Sequence, residues 1–220
     1  MRLFSFALIA CLVLFTMTFA AEGESMEPQG TVTITVEPLV KHVDAYTAAT
    51  AFVKASDYAP EGGWGEKDYG KVYETIFSKG FDRITGWLNA DRQPAGPFFG
   101  IYFDDPEKTP AGELSCKVGV PITGEQEPTA DIVIEEIPAG DVASITYKGD
   151  YKNSSNAWDA LVKFVEAEGY AWAGAPMEIY IVSEGQTDNP EEWVTEVRWP
   201  VMKKGEEPKE MMEEPAKTEE

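Results

Sequence analysis

The chain's 220 residues suffice for one domain of ordinary size with appendages, and its 43% hydrophobic and 12% aromatic content excludes global disorder. Asp and Glu total 39 against 18 Lys and Arg, a net charge of −21 that repels phosphate backbones and argues against a nucleic-acid partner. The single histidine, His42, excludes zinc sites that need two imidazoles, and the distant Cys11 and Cys116 offer neither a disulfide framework nor a CxxC pair.

The chain opens with Arg2 and an apolar run from Leu3 to Ala21 that ends in small residues, Thr18-Phe19-Ala20. This is the pattern of a secretory signal, so residues 1–20 are expected to be removed and the protein exported, to a periplasm or the extracellular space. An uncleaved anchor is the alternative, since nineteen apolar residues almost span a hydrocarbon core, and it is the one route by which this chain would meet a membrane. Removal takes away one Arg and no acid, leaving a charge of −22. Residues 21–30 read as a flexible tether, rich in Glu, Gly, Ser and Pro. Residues 203–220 carry four Lys, seven Glu and two Pro with no aromatic, the composition of a disordered acidic tail. One domain, 31–202, remains between them.

Within it, Thr31 to Val36 alternates β-branched residues and predicts a strand. A Gly-rich loop follows, Tyr58 to Gly65, and then a helical stripe of Tyr73, Phe77, Phe81, Ile84 and Leu88 within 69–88. Phe98 to Phe103 and Leu114 to Val120 read as strands bounded by Gly, Pro or Asp turns. The second half repeats the order: strands 132–137 and 142–147, a helix from Asn153 to near Gly169 with Trp158, Leu161, Val162 and Val165 on one face, then strands 177–182 and 194–199. Residues repeat too. Asp68-Tyr69 and Asp150-Tyr151 precede the helices, and a Gly-Pro turn leads to Ile101-Tyr102 after the first and Ile179-Tyr180 after the second. The expected fold is α+β: two strand–helix–strand–strand modules related by a pseudo-twofold axis, an antiparallel sheet with helices, and a central cleft.

Four stretches then carry a resemblance: Gly96 to Pro106, Val118 to Pro121, Lys148 to Tyr151, and Glu192 to Val201. In this order they resemble the GyrI-like domain, the effector-binding module also fused to AraC-type and MerR-type regulators. The resemblance implies a duplicated SHS2-like fold whose cleft takes bulky, often cationic or aromatic small molecules, with an acidic residue near the second Ile-Tyr strand meeting a positive ligand. Glu178 matches that position, with Tyr102 and Tyr180 as aromatic walls. The chain departs from the regulators in its export signal and in having no room for a helix-turn-helix before the domain. Some stand-alone members hydrolyse cyclopropane-bearing genotoxins, so a cofactor-independent hydrolase using a cleft carboxylate is the alternative to a binding module. A third reading is a scaffold that recruits partner proteins through its acidic tail and surface.

The residues agree on the chemistry. Alternation along a strand puts Glu178 and Tyr180 on one face and Met177, Ile179 and Ile181 on the other. A carboxylate beside aromatic rings suits a hydrophobic cation, each ring adding about 0.5–2 kcal/mol. Tyr147 reads as half core and half cleft wall, Trp64 as either a lid over the cleft or a loop anchor, and Glu196 as either a pocket acid or the partner of a surface Lys. No metal and no cofactor is expected, since His42 has no second ligand to join it. The Gly65 to Lys71 run has the opening of a P-loop but Val72 where Ser or Thr would hold magnesium.

Overall fold

The computed structural model describes residues 30–205. The signal, nearly all of the tether and most of the acidic tail lie outside the described residues. The elements are β1 (Thr33–Val43), β2 (Tyr46–Lys54), α1 (Tyr69–Trp87), β3 (Phe98–Tyr102), β4 (Ser115–Pro121), β5 (Val133–Ile137), β6 (Gly140–Lys148), α2 (Ser155–Ala167), β7 (Tyr170–Trp172), β8 (Met177–Val182) and β9 (Val194–Lys203). The fold is α+β: nine antiparallel strands make one sheet in the order β1-β6-β9-β8-β3-β4-β2-β5, with β7 added to β9. This order is unchanged when β5, β2, β4 and β3 exchange places with β1, β6, β9 and β8, and β5, expected from the sequence to belong with the second half, pairs instead with β2 of the first.

Two expectations are corrected. The strand that precedes α1 is β2, and the strand read at 31–36 is the start of β1, which runs on through His42 and pairs with β6 in the other half. β2 carries Ala48, Ala49 and Ala51 in place of β-branched residues, so its sequence lacks the strand pattern. The alanines have a packing reason: with Val53, Ala49 and Ala51 lie under α1. The same close approach explains Gly80, where an added Cβ would stand 2.5 Å from Val118 Cγ2.

The predicted stripe on α1 is also displaced. The face buried against the sheet is Val72, Ile76, Gly80, Ile84 and Trp87. Tyr73, Phe77 and Phe81 form a half-buried flank one residue round the helix. α2 buries Ala157, Trp158, Leu161, Val162 and Val165, as its periodicity predicts, against Ala143, Ile145, Val197 and Trp199.

Two short connections force the sheet to curl. From Val43 to Tyr46 the chain can reach about 11 Å, whereas six strand spacings on a flat sheet would separate β1 from β2 by about 29 Å. Ile137 to Gly140 makes the same demand of β5 and β6. The sheet therefore bends over its helix-free face, where Tyr46 and Ile137 close onto Phe99, Ile101, Met177 and Ile179, with the Tyr46 and Phe99 rings 6.1 Å apart. The helices stay on the other face, one on each half, and leave the central strands β3 and β8 between them.

Candidate functional site

β3 and β8 pair in the register Phe98↔Tyr180 and Gly100↔Glu178, and β8 pairs with β9 as Glu178↔Val197. Alternation then turns Glu178 and Tyr180 to the helix side, away from Met177 and Ile179, as the sequence predicts. Glu178 is only 4% exposed. Three tyrosine hydroxyls donate to it: Tyr102 at 2.6 Å and Tyr180 at 3.2 Å to Oε2, and Tyr147 at 3.2 Å to Oε1. These tyrosines come from β3, β8 and β6, so both halves of the chain converge on one carboxylate.

The surrounding shell is aromatic. The Tyr102 ring lies 5.0 Å from Phe77, 5.6 Å from Tyr73 and 6.2 Å from Trp158. The Tyr180 ring lies 5.7 Å from Phe81 and 5.5 Å from Tyr151, which stacks on Trp193 at 4.6 Å. Gly100 makes room for this arrangement: a Cβ there would stand 2.2 Å from Phe77 Cε1 and 3.1 Å from the Tyr180 hydroxyl. Phe77 thus packs directly on the β3 backbone at Gly100, the residue paired with Glu178.

Burial pushes the Glu178 carboxyl above its ordinary range, and hydrogen bonds from Tyr102, Tyr147, Tyr180 and the Trp158 indole offset only part of that. Burial, and next the Glu178 charge itself, push the hydroxyls of Tyr102, Tyr147 and Tyr180 well above the usual tyrosine range, so they stay neutral donors. None of the salt bridges among the described residues involves Glu178. A desolvated carboxylate with neutral partners and aromatic walls can stabilise a positive charge brought in from outside.

Glu178, Tyr180, Tyr102 and Tyr147 are therefore brought together, Tyr147 fully buried. Trp64 is held elsewhere: its indole N–H donates to the Ala55 carbonyl at 2.8 Å and its ring packs near Gly112. Glu196 faces the helix-free side, bound by Lys41, Arg198 and Ser144. Burial alone would raise its carboxyl, but those bonds outweigh it and hold the group at about 2. His42 is exposed on β1 and pairs with Asp141 at 2.9 Å. Cys116 is buried, and burial followed by the nearby Asp104 charge pushes its thiol far up, which leaves it unreactive. Sequence reasoning did not assign Tyr73, Phe77, Phe81, Tyr151, Trp158 and Trp193 to the site. The signal existed for two of them, because Tyr151 and Trp193 sit inside the motifs that carry the family resemblance.

Known proteins repeat this arrangement of elements. The C-terminal domain of EcmrR superposes with a TM-score of 0.60 at 18% identity, over 77% of this chain and 99% of that one. EcmrR in its complex with DNA gives 0.56 at 20% identity over 76% of this chain, which spans only 57% of that longer protein. At such identities the likeness shows the fold alone. A DNA gyrase inhibitor of Pectobacterium carotovorum subsp. carotovorum is 35% identical over 113 residues, 48% of this chain and 70% of that one. Residues 61–202 match the family model of the GyrI-like small molecule binding domain, and the chain belongs to that family.

Proposed function

We propose that this GyrI-like domain is an exported binding protein that takes a hydrophobic cation between its two halves, against Glu178. The observation that carries the reading is Glu178 itself: buried, hydrogen-bonded by three neutral tyrosines, and in no salt bridge among the described residues. Folding a carboxylate into such a place costs stability unless a charge arrives to meet it. Rings of Tyr102, Phe77, Tyr180 and Trp158 supply apolar and cation–π contact for the ligand's remaining surface. The interchangeable strand order supports descent from two copies of one strand–helix–strand–strand module, with the site where the copies meet. Export rests on the apolar segment of residues 1–20.

Trp158 and Trp193 stand within the aromatic shell, so tryptophan fluorescence reports occupancy. Titration with an aromatic quaternary ammonium ion should quench it in the wild-type chain. Glu178→Gln should weaken that binding by about 2–5 kcal/mol, the cost of removing one partner from a buried charge pair. Unchanged affinity in the variant would sink the proposal. The raised Glu178 carboxyl favours a second reading, a hydrolase in which this group acts as general acid. Product analysis of the same titration separates the two, since a binding protein returns its ligand intact.

A further inference from the structure

We propose that the ligand held against Glu178 is a protonated amine whose N–H groups are received by Thr195. The inference rests on the proposed role of Glu178 and names the class of cation. The first observation is where Thr195 stands. β9 sets it directly opposite Tyr147 on β6 and Tyr180 on β8, so one cross-strand row runs Tyr147, Thr195, Tyr180. Directly opposite residues face the same side of a sheet, so Thr195 turns to the helix side with these two tyrosines, both of which bond Glu178. Val197, two residues on along the same side of β9, pairs with Glu178 in the next row.

The second observation is that Thr195 is fully buried and that its Oγ1 meets no partner at hydrogen-bond distance and angle among the described residues. Its hydroxyl lies close enough to the Tyr147 oxygen to favour that group's charged form, without the alignment of a bond. A buried hydroxyl left without a partner destabilises a fold, and native proteins keep few of them. For packing alone Thr is a poor choice here, since Val has nearly the same branched shape without the oxygen.

The third is the balance of donors and acceptors. Tyr102, Tyr147 and Tyr180 each carry one O–H, and all three are spent on the Glu178 carboxylate. The Trp158 indole N–H is given to the same group. What remains of the tyrosines for a ligand is oxygen lone pairs, to which ionised Glu178 and Thr195 Oγ1 add more. A site so poor in free donors is matched by a group that brings hydrogens along with its charge. A primary ammonium presents three N–H donors, whereas a quaternary ammonium presents none and leaves Thr195 unpaired. The hydroxyl thereby changes from a cost in the ligand-free fold to a contact made only when an amine binds.

Calorimetric titration of the full-length chain at pH 8 with naphthylmethylammonium and with its N,N,N-trimethyl analogue tests this, since both carry one positive charge. An aromatic box without acceptors favours the trimethyl form, whose methyl groups bury more apolar surface. The proposal gives the opposite order: the primary ammonium should bind about tenfold tighter or more, the range of a hydrogen bond to a charged group. Thr195→Val should cost the primary ammonium about tenfold and the trimethyl compound far less. The same variant, ligand-free, should melt at or above the wild-type temperature, because no internal bond is lost. Equal or tighter binding of the trimethyl compound, with Glu178→Gln still weakening both, overturns the inference and leaves Glu178 as the charge partner. A ligand-free Thr195→Val chain that melts clearly lower than wild type also overturns it, by showing that the hydroxyl has a partner within the fold. If neither compound responds to Glu178→Gln, the proposed role of Glu178 fails, and this inference fails with it.

Discussion

Glu178→Gln should raise the melting temperature of the ligand-free protein at neutral pH while removing its affinity for cations. The sign follows from the carboxyl's direction of shift. Burial lifts it above the unfolded value of 4.5, so the folded state holds its proton more tightly than the unfolded chain does. The stability this supplies is complete below pH 4.5 and is lost as pH rises through the raised folded value, beyond which the charged, buried group is a net cost. An uncharged amide escapes that cost and still accepts from Tyr102. A gain of about 1–2 kcal/mol, or about 3–6 °C for a domain of this size, should appear at pH 8 and shrink towards zero at pH 4. A melting temperature below wild type at pH 8 would mean that the tyrosine hydrogen bonds outweigh the burial and that Glu178 is a structural group.

Gly100→Ala should be among the most damaging single-methyl additions in the domain. Its Cβ would lie 2.2 Å from Phe77 Cε1, with the sheet behind it and the Tyr180 hydroxyl 3.1 Å away. Phe77 must then leave the strand, at a cost of about 1–3 kcal/mol for overpacking. Truncating the ring should rescue the variant: Phe77→Ala and Gly100→Ala together should be less destabilising than their sum by about 1–2 kcal/mol. Chemical denaturation of the four proteins measures the coupling, and strict additivity would show that Phe77 and Gly100 do not share this space.

The sequence announced the elements with strong periodicity and missed those shaped by packing. α1, β3, β8 and α2 followed from apolar spacing. β2 did not, because it traded β-branched residues for the alanines that admit α1. Period-two alternation placed Glu178 with Tyr180 and opposite Ile179, which is local information. That Glu178 is buried is not local: its cover comes from Phe77 on α1, Tyr102 on β3, Tyr147 on β6 and Trp158 on α2. Tyr73, Phe77 and Phe81 outweighed Val72, Ile76 and Gly80 in the reading of α1, because large rings dominate an apolar stripe even when smaller neighbours face the core. Trp64 carried no directional signal, since a Gly-rich loop fixes neither the orientation of its ring nor its partner.

The most direct test is calorimetric titration of the wild-type chain with an aromatic quaternary ammonium ion and with its uncharged carbon isostere, at pH 8 and at low pH. The cation should bind more tightly than the isostere by about 2 kcal/mol or more. Its affinity should fall as pH drops, about tenfold per unit once protons compete for Glu178, while the isostere's stays level. Equal affinities for the two compounds, or a cation affinity indifferent to pH, would contradict the claim that Glu178 is held in the cleft to meet a positive ligand.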